Sequence, residues 1–432
     1  MKQSNWIFAA AAILTATLGF LKYAGPAVAT KPDSGTEQSA MTQIMAVEKG
    51  AKLVIWTDPD WIPFMNEVTR SFNQSLGQSV EFTVVAVSPM DGTRRLIQDG
   101  GTSRVGDVVE IVHNALGEAV NAGAVLENLV SAQRVATEFI PPAAHAATYH
   151  DVVYGFPTSF QTVALFYNRD ILPKAPETFE ELIAFAPGFN DKVKNRYTLL
   201  WGVQNYYFSR MFLTLFGGYE FGKNGTDPRD FGIASDAVVQ GLTAMLELKK
   251  AVNASSADLV NPLVQRGLFS EGKVAAVIEG PWASKALMES GRNVGVVPIP
   301  TFKGKHPRTF STVTLAVVSS YSPYPQAAQL FADYLVSDAI LKKRYEMIGS
   351  VPTSKALLAS IAPTASATTK ALIQQAEYAD AMPSIPEMAF LWSPMSGALV
   401  DAWNNGKAPA DVLKTAKDII DEQLKLDQQE GK

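Results

Sequence analysis

From residue 51 the chain alternates short apolar runs with stretches of helical spacing. Lys52-Leu53-Val54-Ile55-Trp56 predicts a buried strand. Phe64, Val68 and Phe72 then recur every fourth position and Gly77 stops the pattern, so Ile62 to Leu76 is predicted as an amphipathic helix. Ser79 to Val87 returns to strand character through Val80, Phe82, Val84 and Val85. Asp91 to Gln98 is a short helix ended by Gly100-Gly101, and Asp107 to Val112 is the next strand. Alternation of this kind implies right-handed crossovers and a parallel-type sheet, hence an α/β unit.

A second unit begins near Phe156, with Val163 to Tyr167 as a strand and Asn168-Arg169-Asp170 as its turn. Thr178 and Glu181 stand three apart, the spacing of a capping box at a helix start. Ser235 to Ala251 carries Val238, Val239, Leu242, Met245, Leu246 and Leu248 in helical spacing. Val274 to Ile278 is another buried strand closed by Gly280-Pro281, and Thr312 to Ser319 is strand-like again. Pro409 to Leu424 places Val412, Leu413, Ala416, Ile419, Ile420 and Leu424 on one helical face. No repeat of solenoid or propeller period is present.

Composition narrows the chemistry. The 432 residues suit two or three domains, and a chain of that size builds its core without staples. There is no cysteine, which excludes disulfides, thiolate metal sites, thiol nucleophiles and thioether-linked lipid. A net charge of −5 argues against a nucleic-acid surface. Lys2, the apolar run from Trp6 to Leu21 and the small residues Ala27-Val28-Ala29 read as a cleavable export signal over 1–29. The polar stretch 30–46 reads as a flexible leader. The expected product is a soluble periplasmic protein with no lipid anchor.

Several familiar chemistries are missing. The sequence holds no Walker loop, no dinucleotide fingerprint and no Gly-x-Ser-x-Gly elbow, and His113, His145, His150 and His306 have no metalloprotease spacing. No metal and no cofactor is expected. Asp58-Pro59-Asp60 follows the first strand and has three readings: a metal site, a carboxylate pair acting on a glycoside, or a loop in which Asp caps a helix. Strand C-terminal ends face the ligand crevice in open α/β sheets, so a hydrogen bond accepted by Asp60 from a ligand fits its position. Tyr206-Tyr207-Phe208, Trp282 and Trp392 all follow predicted element ends. Their flat rings suit the apolar faces of pyranoses, with amides and carboxylates taking the hydroxyls.

Ordered landmarks from about Ala51 to Leu424 resemble the extracytoplasmic solute-binding proteins of ABC importers, and among them the maltose and maltodextrin binders. The landmarks are Leu53-Val54-Ile55-Trp56, Phe156-Pro157, Leu165 to Pro173, Glu279-Gly280-Pro281-Trp282-Ala283, Pro300 to Gly304 and Met382 to Pro386. The resemblance implies a type II periplasmic-binding fold, two α/β lobes hinged around a cleft. It places the first lobe at 47–159 plus 311–362 and the second at 160–310 plus 363–432, with hinges near Ser159–Thr162 and Thr309–Thr314. The implied ligand is an oligosaccharide. The implied partner is the transmembrane permease of the importer with its cytoplasmic ATPase, the binding protein itself being a monomer.

Carried over position by position, the resemblance assigns stacking to Tyr207, Trp282 and Trp392, a further ring to Phe208 and a sugar-binding acid to Asp60. Elsewhere the polar contacts change. The family's Trp, Asp and Arg after the third strand read Ile111, Asn114 and Ala115 here. Its hinge glutamate reads Gln161, another glutamate reads Asn205, and a lysine reads Trp61, which brings a new ring. Micromolar binding takes about −8 kcal/mol, more than three ring contacts of roughly 0.5–1.5 kcal/mol each supply beyond area burial. The expected ligand is therefore a sugar, bound by a more neutral cleft than the family's and not maltose at the family's usual affinity. Two other readings compete: the same fold holding a polyol or small organic solute, and a secreted glycoside hydrolase using Asp58 or Asp60. The hydrolase needs a second carboxylate across the cleft, where the aligned residues are the amides Gln161 and Asn205.

Overall fold

The computed structural model describes residues 46–76, 79–102, 104–255 and 261–430. The expected signal at 1–29 and almost all of the leader at 30–46 lie outside the described residues. In chain order β1 (Lys52–Thr57), β2 (Glu81–Ala86) and β3 (Val108–Val112) come first. A short hairpin of β4 (Thr148–Tyr149) and β5 (Val152–Val153) precedes β6 (Phe156–Gln161). Then follow β7 (Ala164–Asn168), β8 (Tyr197–Leu200), β9 (Asp227–Phe231), β10 (Val274–Glu279) and β11 (Val294–Val297). The ten-residue β12 (Thr309–Val318) and the short β13 (Ala379–Ala381) complete them.

Two sheets organise these strands. The larger has the order β13-β12-β3-β1-β2, with β6 also paired to β12; the smaller is β11-β7-β10-β8. β1 pairs in parallel with β2 and β3, as the alternating pattern predicts. The antiparallel pairs β12–β3, β12–β6, β10–β7 and β11–β7 make both sheets mixed. β12 joins the parts of the larger sheet: Thr309–Ser311 pair with β13, Thr312–Ala316 with β6 and Thr314–Val318 with β3.

The helices form where the apolar period asks for them. Ile62–Leu76 is helical over the predicted span and buries Phe64, Met65, Val68 and Phe72. Thr178 caps Phe179–Phe189 by accepting from Glu181 N at 3.1 Å, while the Glu181 carboxylate reaches back to Glu177 N at 2.9 Å. The reciprocal bond of the predicted capping box thus falls one residue earlier than the usual pattern. Pro325–Leu335 and Asp338–Ile348 pack beside the larger sheet and the helix Ile62–Leu76. Trp392–Asn405 and Pro409–Glu430 pack instead on Tyr206–Leu213 and Asp236–Glu247.

The chain passes from β6 to β7, and so from one sheet to the other, through Thr162 and Val163 alone. The Thr162 hydroxyl donates to Phe310 O at 2.9 Å and lies 2.7 Å from Thr309 Oγ1, tying that crossing to the start of β12. Nearby His113, fully buried, bonds Met382 O through Nε2 at 3.0 Å and accepts from Val313 N at Nδ1 at 3.2 Å. Burial holds its imidazole down at about 4, so it is neutral near neutral pH and can both donate and accept.

Candidate functional site

A cavity of about 650 Å³ opens between the two sheets. Its walls come from strand C-terminal ends. Asp58 and Trp61 follow β1, Ser88 to Met90 follow β2, and Val112 ends β3. Opposite them, Gly202, Gln204 and Asn205 follow β8, while Ile278, Glu279 and Trp282 lie at the end of β10. Gln161, Thr312 and Thr314 contribute from β6 and β12 where the chain crosses over. Both sheets therefore present the edge at which open α/β sheets bind ligands.

The rings singled out in the sequence converge here despite their separation along the chain. Tyr207, Phe208, Trp282 and Trp392 all line the cavity. Tyr207 and Phe208 meet edge to face with centroids 5.5 Å apart, and Trp282 lies 6.2 Å from Tyr207 and 6.3 Å from Phe208. Trp392 stands 6.5 Å from Tyr206. Asn205 starts this wall by capping the helix Tyr206–Leu213, its side chain accepting from Tyr207 N at 3.0 Å. Burial pushes the Tyr207 hydroxyl up to about 12, so it stays protonated as a donor.

Glu279, only 3 % exposed, fixes Trp282: one carboxylate oxygen accepts from the indole Nε1 at 2.9 Å and the other from Arg266 Nε at 3.0 Å. The indole folds back over Gly280, where a Cβ would lie 2.2 Å from the ring, so only glycine fits. Glu279 was not among the expected ligand contacts. An acid closing the apolar run Val274 to Ile278 was the available signal.

Among the other expected contacts, Trp61 and Gln161 line the cavity and both are largely buried. Gln161 Oε1 accepts from Thr312 Oγ1 at 3.5 Å. Asp60 and Asn114 do not line it. Asp58 caps the turn Pro59–Trp61, accepting from Asp60 N at 3.0 Å, which leaves Asp60 exposed and Asp58 at the cavity. The capping reading of this acid pair and a place at the ligand crevice thus hold together, on Asp58. Burial raises the Asp58 carboxyl above its ordinary range. Asn114 sits half-buried in the turn after β3.

Asp58 and Glu279 are the ionisable acids of the lining, and among the described residues no Lys or Arg joins them. Among the described residues no group of three or more His, Asp or Glu is gathered to hold a metal ion, and no helix is long and apolar enough to cross a membrane. What the lining offers is ring faces, amides, hydroxyls and two carboxylates, the means to hold a polar molecule with apolar faces.

Known proteins share this fold. The family described as bacterial extracellular solute-binding protein matches residues 67–373. A galactooligosaccharide-binding protein of Bacillus subtilis is 28% identical over 386 residues, 87% of this chain and 90% of its own length. A maltooligosaccharide ABC transporter solute-binding lipoprotein of Streptococcus pneumoniae is 26% identical over 98% of this chain and 99% of its own. Among solved structures, a cyclo/maltodextrin-binding protein complexed with maltotetraose superposes with a TM-score of 0.75 at 31% identity, covering 87% of this chain and 98% of that one. These matches follow the two-lobed fold along most of its length, and the chain belongs to the bacterial extracellular solute-binding proteins.

Proposed function

We propose that this protein captures a neutral oligosaccharide outside the cytoplasm and delivers it to the membrane permease of an ABC importer. The observation that carries this reading is the wall of Tyr207, Phe208, Trp282 and Trp392 facing the carboxylate and indole of Asp58 and Trp61 across one cavity. Ring faces cover the apolar surface of a pyranose while Asp58, Gln161 and Asn205 supply hydrogen bonds to its edges. Relatives named for galactooligosaccharides and maltooligosaccharides support a sugar of this size class. A lining whose charges, among the described residues, are acids alone disfavours uronates and sugar phosphates.

Ligand that touches both walls favours the closed arrangement of the lobes, and the crossings at 162–163 and at the start of β12 are where the chain would flex. We propose export behind the signal at 1–29 and action as a monomer. The chain contains no cysteine to carry the thioether-linked lipid of a lipoprotein. Binding proceeds without turnover. Glu279 is the second carboxylate that a hydrolase would need, a residue the alignment with amides did not anticipate, but both its oxygens are engaged by Arg266 and Trp282.

A thermal-shift panel tests the reading. Maltooligosaccharides and galactooligosaccharides are compared with uronate oligomers and with acyclic polyols, and the sugars are checked for cleavage. A ligand at 100 times its Kd stabilises by about 2.7 kcal/mol, an easily read shift. The reading predicts a shift with at least one neutral oligosaccharide and intact sugar afterwards. A response to polyols alone, or hydrolysis lost in Asp58→Asn, would replace it.

A further inference from the structure

We infer that Arg344, which does not line the cavity, is a positioning residue that holds Trp61 as the first lobe's ligand platform, with Glu110 fixing Arg344 in turn. The inference rests on the oligosaccharide reading of the cleft. Arg344 lies on Asp338–Ile348 and Glu110 in the middle of β3, each 1 % exposed in its side chain. Arg344 Nη1 donates to Glu110 Oε1 at 2.6 Å. The same carboxylate accepts from Thr57 Oγ1 of β1 at 2.5 Å, and Thr158 Oγ1 of β6 lies 3.4 Å from it. Hydroxyls of β1 and β6 thus flank the anion, and the anion holds the cation.

The rest of the guanidinium is turned to rings. Its carbon lies 4.4 Å from the Trp61 centroid and 5.5 Å from that of Phe64. Nε and Nη2 are buried and have no hydrogen-bond partner among the described residues. Two aromatic rings lie beside this guanidinium, an arrangement that stabilises a desolvated cation and fixes the ring beside it.

Stability alone does not account for such a pair, since apolar residues of similar volume commonly serve a core as well as a buried ion pair does. The position of Trp61 supplies the reason. It closes the three-residue turn Pro59–Trp61 at the cavity, and Arg344 covers one face of its indole. Here the ring stands at the cavity and the cation stands behind it.

A double-mutant cycle with maltotetraose as probe tests the assignment. One arm is Trp61→Ala; the other is Glu110→Gln with Arg344→Met, which removes both charges so that neither is left buried alone. Each arm should weaken binding about tenfold, and the combined variant should bind no worse than Trp61→Ala, because contacting groups are not additive. Additive losses of about a hundredfold, or unchanged affinity in the charge-free variant, would overturn the role. A second readout needs no ligand and a gentler change. In fluorotryptophan-labelled protein the Trp61 resonance, assigned by its loss in Trp61→Ala, should shift or broaden in Arg344→Lys, which keeps the charge and loses the guanidinium over the ring. An unmoved line would contradict the inference even where a variant above fails to fold. If the wild-type protein binds no maltotetraose, that sugar reading fails while the fluorine line still decides the role of Arg344.

Discussion

The two walls of the cleft are built on opposite plans. The second-lobe wall is a cluster of rings that support one another: Tyr207, Phe208 and Trp282 lie within 6.3 Å of each other, and Glu279 with Arg266 pins the indole. The first-lobe wall has a single ring, Trp61, backed by a cation rather than by other platforms, beside the carboxylate of Asp58. A self-supporting wall can hold a sugar by itself. A wall of one ring and one acid adds its contacts only once the lobes approach. On the proposed function, the difference puts most of the affinity in the second lobe and the completion of the site in the first.

The largest expected effect follows from breaking the stronger wall. Trp282→Ala removes a ring and leaves Glu279 without its indole donor, so affinity for a bound oligosaccharide should fall by about 3–4 kcal/mol, several hundredfold, in calorimetry.

Next comes the junction on which both walls depend. His113 ties Val313 and Met382 together as a neutral imidazole, and burial holds it at about 4, below the ordinary 6.5. A lowered folded-state value means the unfolded chain takes up the proton first. The stability is fully present above about pH 6.5 and is lost as pH falls through 4, on the order of 2–3 kcal/mol by that point. Urea unfolding at about pH 7 and pH 4 should show that loss in the wild type and much less of it in His113→Gln.

The weaker wall is sharpened by two neighbouring acids. Asp58→Asn keeps an oxygen to cap the turn but removes the charge at the cavity, and should weaken sugar binding about tenfold. Asp60→Asn, on the exposed side of the same turn, should change affinity by less than about twofold in the same titration. Reversal of that order would mean that Asp60, and not Asp58, meets the ligand.

Much of the scaffold was legible in the chain because its signals are local. The helix Ile62–Leu76 declares itself by a regular apolar period and a following glycine, and β10 by an unbroken apolar run. β6 was not legible as a strand, since Pro157, Thr158 and Ser159 do not read as one. It is nevertheless buried throughout, because pairing with β12 uses its backbone and Thr314 O accepts the Thr158 hydroxyl at 3.0 Å. The ring wall could be anticipated only through family resemblance, for nothing in spacing links Tyr207 to Trp392. The choice of Asp58 over Asp60 depends on a capping bond that forms only in the folded turn. Arg344 was invisible for another reason: 234 positions separate it from Glu110, so no spacing pairs them, although Glu110 interrupts the apolar run Val108 to Val112.

The central claim is that one cleft between the lobes binds a neutral oligosaccharide chiefly through the second-lobe rings. Calorimetric titration of the wild type and of Trp282→Ala with Trp392→Ala, against the neutral sugar giving the largest thermal shift, tests it most directly. The account predicts a single saturable site in the wild type and no measurable heat of binding in the folded double variant. Equal affinity in the two proteins would contradict it.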